Sequence, residues 1–144
     1  LRAVLSQSRS PLTIKEMIHS ADMMIYAAHK VRTSQAIRDD LAILAEGAEE
    51  GEERLLEAIS ALRDLDAELV QLKQDFEAIW LRRARRAEIS ITLDHFSGLR
   101  ERYAWAQEWL EERLDQLEAG QTTSYDLNAY QQKAQGYEIL GQSF

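Results

Sequence analysis

The sequence predicts an all-α protein, an antiparallel bundle of three long helices followed by a short C-terminal helix or irregular tail. Three observations carry that expectation. The 144 residues contain a single proline, Pro11, so no later position breaks a helix by withholding a backbone donor. Apolar residues recur at three-and-four spacing over long stretches, the mark of one buried helical face. The glycines fall mostly between those stretches, where helices stop.

The first helix has a readable start. Thr13 and Glu16 stand at capping-box spacing just after Pro11, where hydroxyl and carboxylate would each satisfy an orphaned backbone N–H. Behind them Ile14, Met17, Ile18, Ala21, Met24, Ile25, Ala28 and Val31 form a stripe that reads as core. After Arg32 to Gln35 the stripe slips, and Ile37, Leu41 and Leu44 fall on another face. Either the helix breaks at Ser34, or it serves two neighbours.

Gly47 and Gly51 bracket a turn, and Glu52 and Glu53 then form an acid-rich first helical turn, favoured by the helix dipole. Leu55, Ile59, Leu62, Leu65, Leu69, Leu72, Phe76, Ile79 and Trp80 keep near-heptad spacing along a second helix of about thirty residues, some 45 Å long. Two long helices joined by a short turn lie antiparallel. Residues 88 to 93 alternate polar and apolar with β-branched side chains, which predicts an extended connector or a short strand. A third helix is expected from near Asp94 to Ser97, with Phe96, Leu99, Tyr103, Ala106, Leu110, Leu114 and Leu117 as its stripe and Gly120 as its stop. The tail from Gln121 to Phe144 has weak periodicity around Leu127 and Tyr130, enough for one short helix.

The whole of 1–144 reads as one helical domain, long enough to bury a core without a disulfide or structural metal. Residue 1 is Leu, which suggests the C-terminal piece of something longer. The absence of cysteine removes thiol chemistry and tilts the expected location slightly towards the cytoplasm. A formal charge of −8 argues against nucleic acid as a partner, and no apolar run is long enough for a membrane span. The one basic run, Arg82, Arg83, Arg85 and Arg86, is either a phosphate or localisation patch or, more simply, cations placed at a helix C-terminus.

Little in the chain points to catalysis. Glu16 and His19 form one Glu-x-x-His pair, but a carboxylate-bridged metal site needs two, and neither His29 nor His95 completes it. No zinc set, phosphate-cradling glycine loop or nucleophile elbow occurs, so no metal, cofactor or catalytic residue is expected. The tryptophans say more. Trp80 falls on the buried side of the second helix. Trp105 and Trp109 sit four apart, roughly 100–140° from the stripe of the third, which suggests burial against something else. A protein interface, a sugar platform, or the C-terminal tail folding back would each supply that cover.

The stretch Phe76-Glu77-Ala78-Ile79-Trp80-Leu81-Arg82-Arg83, followed by Phe96-Ser97-Gly98-Leu99-Arg100-Glu101-Arg102, resembles the C-terminal helical domain of family 20 glycoside hydrolases, the exo-β-N-acetylhexosaminidases. The family's Trp-Leu segment at a helix end matches Trp80-Leu81, and its Gly-Leu pair matches Gly98-Leu99. Arg83-Ala84-Arg85-Arg86-Ala87-Glu88 lacks the proline and glycine of the family's connecting turn. The resemblance implies a parent enzyme that removes terminal N-acetylglucosamine or N-acetylgalactosamine, with the substrate's acetamido group as nucleophile. The family's catalytic Asp-Glu pair sits on a (β/α)₈ barrel, which needs at least about 200 residues. This chain holds no adjacent Asp-Glu, so no catalytic residue carries over.

The expected function is therefore a non-catalytic packing domain. It would dock on the catalytic barrel of the same polypeptide or form a homodimer, with Trp105 and Trp109 as the contact. The alternative is a free-standing helical adaptor or coiled-coil protein. A small sugar-binding module built on the paired indoles is a third reading.

Overall fold

The computed structural model describes residues 10–47, 49–84 and 89–135. Four helices follow one another: α1 (Pro11–Ala45), α2 (Gly51–Trp80), α3 (Ser90–Glu118) and α4 (Leu127–Gln135). The three long helices form the expected bundle, with no strand among the described residues. α2 lies in the middle, packed against α1 on one side and α3 on the other, and α4 lies along α3 and reaches α1.

The antiparallel register shows in the pairs that cross it. Rising along α2, Arg54 meets Asp40 (2.5 Å), Glu68 meets His29 (3.0 Å) and, just past the helix end, Arg83 meets Glu16 (2.8 Å), so the numbers fall along α1. On the other side Arg63 pairs with Glu111 (2.8 Å), and Asp66 accepts two bonds from Arg100 (2.7 and 3.0 Å). Most of these pairs are solvated, so they define register more than they add stability.

The core follows the predicted stripes on α2 and α3. Leu55, Ile59, Leu62, Leu65, Leu69 and Leu72 are buried from α2, and Phe96, Tyr103, Ala106, Leu110 and Leu114 from α3. Gly47 (φ +93°) and Gly120 (φ +66°) end α1 and α3 in the left-handed conformation that glycine adopts without a Cβ penalty. Gly51 is buried, and a Cβ there would stand 2.9 Å from Leu117 Cδ1, so its bare backbone lets the end of α3 close on the turn.

Three expectations are corrected. First, α1 is unbroken through Ser34, one of the two readings left open there, but the face it buries is Tyr26, Thr33, Ile37, Leu41 and Leu44. Most of the stripe expected to be core faces out: Met17, Met24, Ile25 and Val31 are 53, 74, 68 and 64% exposed, while Ile14, Ile18 and Ala21 are half-buried. A straight helix presents one face to α2. Its phase is set by Ile37, Leu41 and Leu44, which puts Met24 roughly 160° from Tyr26. Second, the capping box does not form. The N-cap is Ser10, without a side-chain cap bond, and Thr13 lies inside the helix. Thr13 Oγ1 accepts a bond from Arg83 (3.2 Å), and Glu16 pairs with the same guanidinium. Third, there is no extended run into α3, which starts at Ser90. Leu93 N–H bonds to the Ile89 carbonyl (3.0 Å). Ile89 and Phe96 are buried with Leu93 half-buried between them, whereas Ile91 is 72% exposed. The alternation that suggested a strand also fits helical spacing, and packing selects the helix. The part of the connector at 85–88, with Arg85 and Arg86, lies outside the described residues, as does the tail beyond Gln135.

At mid-bundle the hydroxyls of Tyr26 and Tyr103 share a 2.6 Å hydrogen bond that ties α1 to α3. Burial raises both hydroxyls, and that of Tyr130, above the ordinary tyrosine value, most strongly at Tyr26 and Tyr130; the mutual bond adds to the effect at Tyr26 and opposes it at Tyr103. Folded-state values above the unfolded ones mean that this contribution to stability is complete below pH ~10 and is lost as pH rises beyond it, by at most about 1.4 kcal/mol per pH unit per tyrosine. In an alkaline titration Tyr26, Tyr103 and Tyr130 should form phenolate only as the helical circular dichroism collapses. Full tyrosine ionisation near pH ~10 with helicity intact would contradict the buried pair.

Candidate functional site

Two surfaces stand out beyond the core. The first is the aromatic cluster on the outer side of α3. Trp105 and Trp109 are half-buried, with ring centres 6.4 Å apart. Asp126 Oδ1 accepts bonds from the backbone of Asn128 and Ala129, both at 3.0 Å, and so caps the start of α4. That cap positions Tyr130 one turn later, buried between the indoles at 6.2 Å from Trp105 and 5.2 Å from Trp109. The Arg113 guanidinium lies 3.7 Å above the Trp109 ring, four residues on along the helix, and Lys133 sits 5.3 Å from Trp105. Folding back of the tail therefore covers much of the face that the sequence leaves bare. The remaining depression is lined by Trp105, Glu108, Trp109 and Glu112. With Arg113 stacked on Trp109, this side of the indole is closed to a sugar ring.

The second surface is the outer side of α1. Met17, Ala21, Met24, Ala28 and Val31 run along it, flanked by Ile14 and Ile25. The sequence marks this stripe plainly but not its orientation. α1 is thus apolar on two faces, and α2 takes only one of them.

The residues of the family resemblance gather at the far end of the bundle. Phe76 packs against His19 (5.9 Å), Trp80 (5.6 Å) and Phe96 (5.9 Å), joining all three long helices. Leu99 packs on the core, and Leu81 caps α2 while largely exposed. Gly98 lies within α3 with open space where a Cβ would stand, so neither packing nor backbone conformation requires glycine there. Beside His19 two clefts open, one of about 340 Å³ towards Lys15, Asp22, Asp75 and Arg82, the other of about 370 Å³ towards Glu16, Trp80 and Arg83.

Glu16 and His19 do not act as a pair, since Glu16 is held by Arg83 and His19 lies on Phe76. His29 reaches Glu68 instead. Among the described residues no group of three or more His, Asp or Glu side chains stands where it could hold a metal ion. None of the described helices is long and apolar enough to cross a membrane. In comparisons with known proteins the chain matches no family model, no curated protein and no solved structure.

Proposed function

We propose that this chain is a non-catalytic helical domain that works by contact, docking on a protein partner through the outer face of α1. The observation that carries this reading is the exposed row Met17, Met24, Ile25 and Val31 on a helix whose opposite face already serves the core. Solvated helices ordinarily turn charge outward, and a contiguous apolar row on one marks a contact surface. The likeness of Phe76, Trp80, Leu81, Gly98 and Leu99 to the C-terminal domain of exo-β-N-acetylhexosaminidases supports a parent polypeptide of that class, with bond cleavage done outside these residues. The contact expected at Trp105 and Trp109 moves to α1, because Tyr130 already lies against both indoles.

Two measurements on the purified chain test the reading. It should release no sugar from a chromogenic terminal N-acetylglucosaminide. At a dilution where the chain is monomeric, the double variant Met24→Glu/Ile25→Glu should keep its helicity, with stability changed by no more than about 0.5 kcal/mol per site, as expected for exposed positions. Sugar release, or collapse of the variant, would overturn the proposal.

A further inference from the structure

The outer face of α1 also carries enough pattern to identify what covers it. Its side chains are complementary to themselves under reversal. Set antiparallel to a copy about a point between Asp22 and Met23, Met17 meets Ala28 of the copy and Ala21 meets Met24. Each long side chain faces a small one along the central row, the large-against-small arrangement that lets two helix faces interlock at an interaxial distance of about 8–10 Å. Such two-fold self-complementarity is what an isologous dimer requires.

Charge points the same way. Two copies of a chain with formal charge −8 repel, so they meet best where charge is least. On α1, Lys15, Lys30, Arg32 and Arg38 balance Glu16, Asp22, Asp39 and Asp40. On α2 only Arg54, Arg63 and Lys73 stand against eight carboxylates, and on α3 only Arg100, Arg102 and Arg113 against seven. The neutral helix is the one with the apolar outer row. Size fits as well. Residues 14 to 31 span about 26 Å of helix, so two such faces bury on the order of 1,000 Å², the size of a weak, reversible pair.

We infer that the occupant of this face is a second copy of the chain, packed antiparallel α1 to α1 about a two-fold axis near Asp22 and Met23. This rests on the contact reading of α1 given above and commits it to a homodimer of roughly micromolar affinity. Because the like charges lie away from the contact and repel at long range, added salt strengthens the dimer.

Sedimentation equilibrium on the purified chain tests the proposal, with Met24→Glu/Ile25→Glu as the disrupting variant. The expected result is a reversible monomer–dimer equilibrium in the chain as given and at least a tenfold weaker one in the variant, with helicity equal in both. Peroxide oxidation of Met24 should slow as protein concentration rises. Since the chain lacks cysteine, a nitroxide on Gln35→Cys is unique, and its dipolar distance reads the orientation. Antiparallel copies place the two labels about 38 Å apart, and parallel copies about 10 Å. A monomer at all concentrations, a dimer unaffected by the variant, or the short label distance would overturn the second-copy assignment. None of these is sugar release or collapse of the variant, the results that would overturn the contact reading itself.

Discussion

Replacing Leu65 with alanine is expected to cost about 3–5 kcal/mol of stability, towards the upper end for a buried leucine. Leu65 is 0% exposed and stands midway along α2, the helix with α1 on one side and α3 on the other. The cost of a large-to-small change depends on how far the surroundings collapse into the space. Here long helices hold both sides, and cross-helix pairs such as Arg100 with Asp66 and His29 with Glu68 flank the level of Leu65. Leu56→Ala on the same helix, at a site 49% exposed, is the matched control and should change stability by no more than about 0.5 kcal/mol. Chemical denaturation of the two variants checks the pair. A cost below about 1 kcal/mol at Leu65 would mean that α2 is not the centre of the core.

The second large effect is expected at Tyr130. Its ring is buried between Trp105 and Trp109 on a helix of nine residues, too short to persist without tertiary contact. Tyr130→Ala removes the anchor. The loss should reach about 2–4 kcal/mol, limited by the free energy at which α4 detaches while the three-helix core stays folded. Tryptophan emission should shift to the red as water reaches both indoles, while far-UV circular dichroism falls only by the share of α4. Tyr130→Phe keeps the ring and should retain the parent emission. Unchanged emission in Tyr130→Ala would show that the indoles owe their cover to something else.

Legibility in the sequence differed between helices for a physical reason. α2 and α3 each carry a single apolar stripe, and each buries the predicted side chains along its middle, Leu55 to Leu72 and Phe96 to Leu114 apart from Leu99, while Phe76, Ile79, Trp80, Leu99 and Leu117 are half-buried. α1 carries two stripes out of phase, Met17 to Val31 and Ile37 to Leu44. Helical periodicity reveals both without saying which one faces α2. The candidate contact surface was therefore visible as a pattern and assigned to the wrong side. Tyr130 was harder to see, because a nine-residue helix gives too short a window for periodicity. The available signals were the capping Asp126 and the four-residue spacings Trp105–Trp109 and Trp109–Arg113.

From the sequence alone came the all-α class, three long antiparallel helices and a short fourth, the glycine stops at Gly47 and Gly120, and the inward faces of α2 and α3. These follow from interactions within a few residues: backbone freedom, hydrogen bonding and side-chain spacing. Only the tertiary structure decided which face of α1 is core, that Ser90 to Leu93 is helix rather than extended chain, and that Tyr130 packs against the indoles. Each of those depends on burial, and burial belongs to a pair of surfaces that meet, not to either segment by itself.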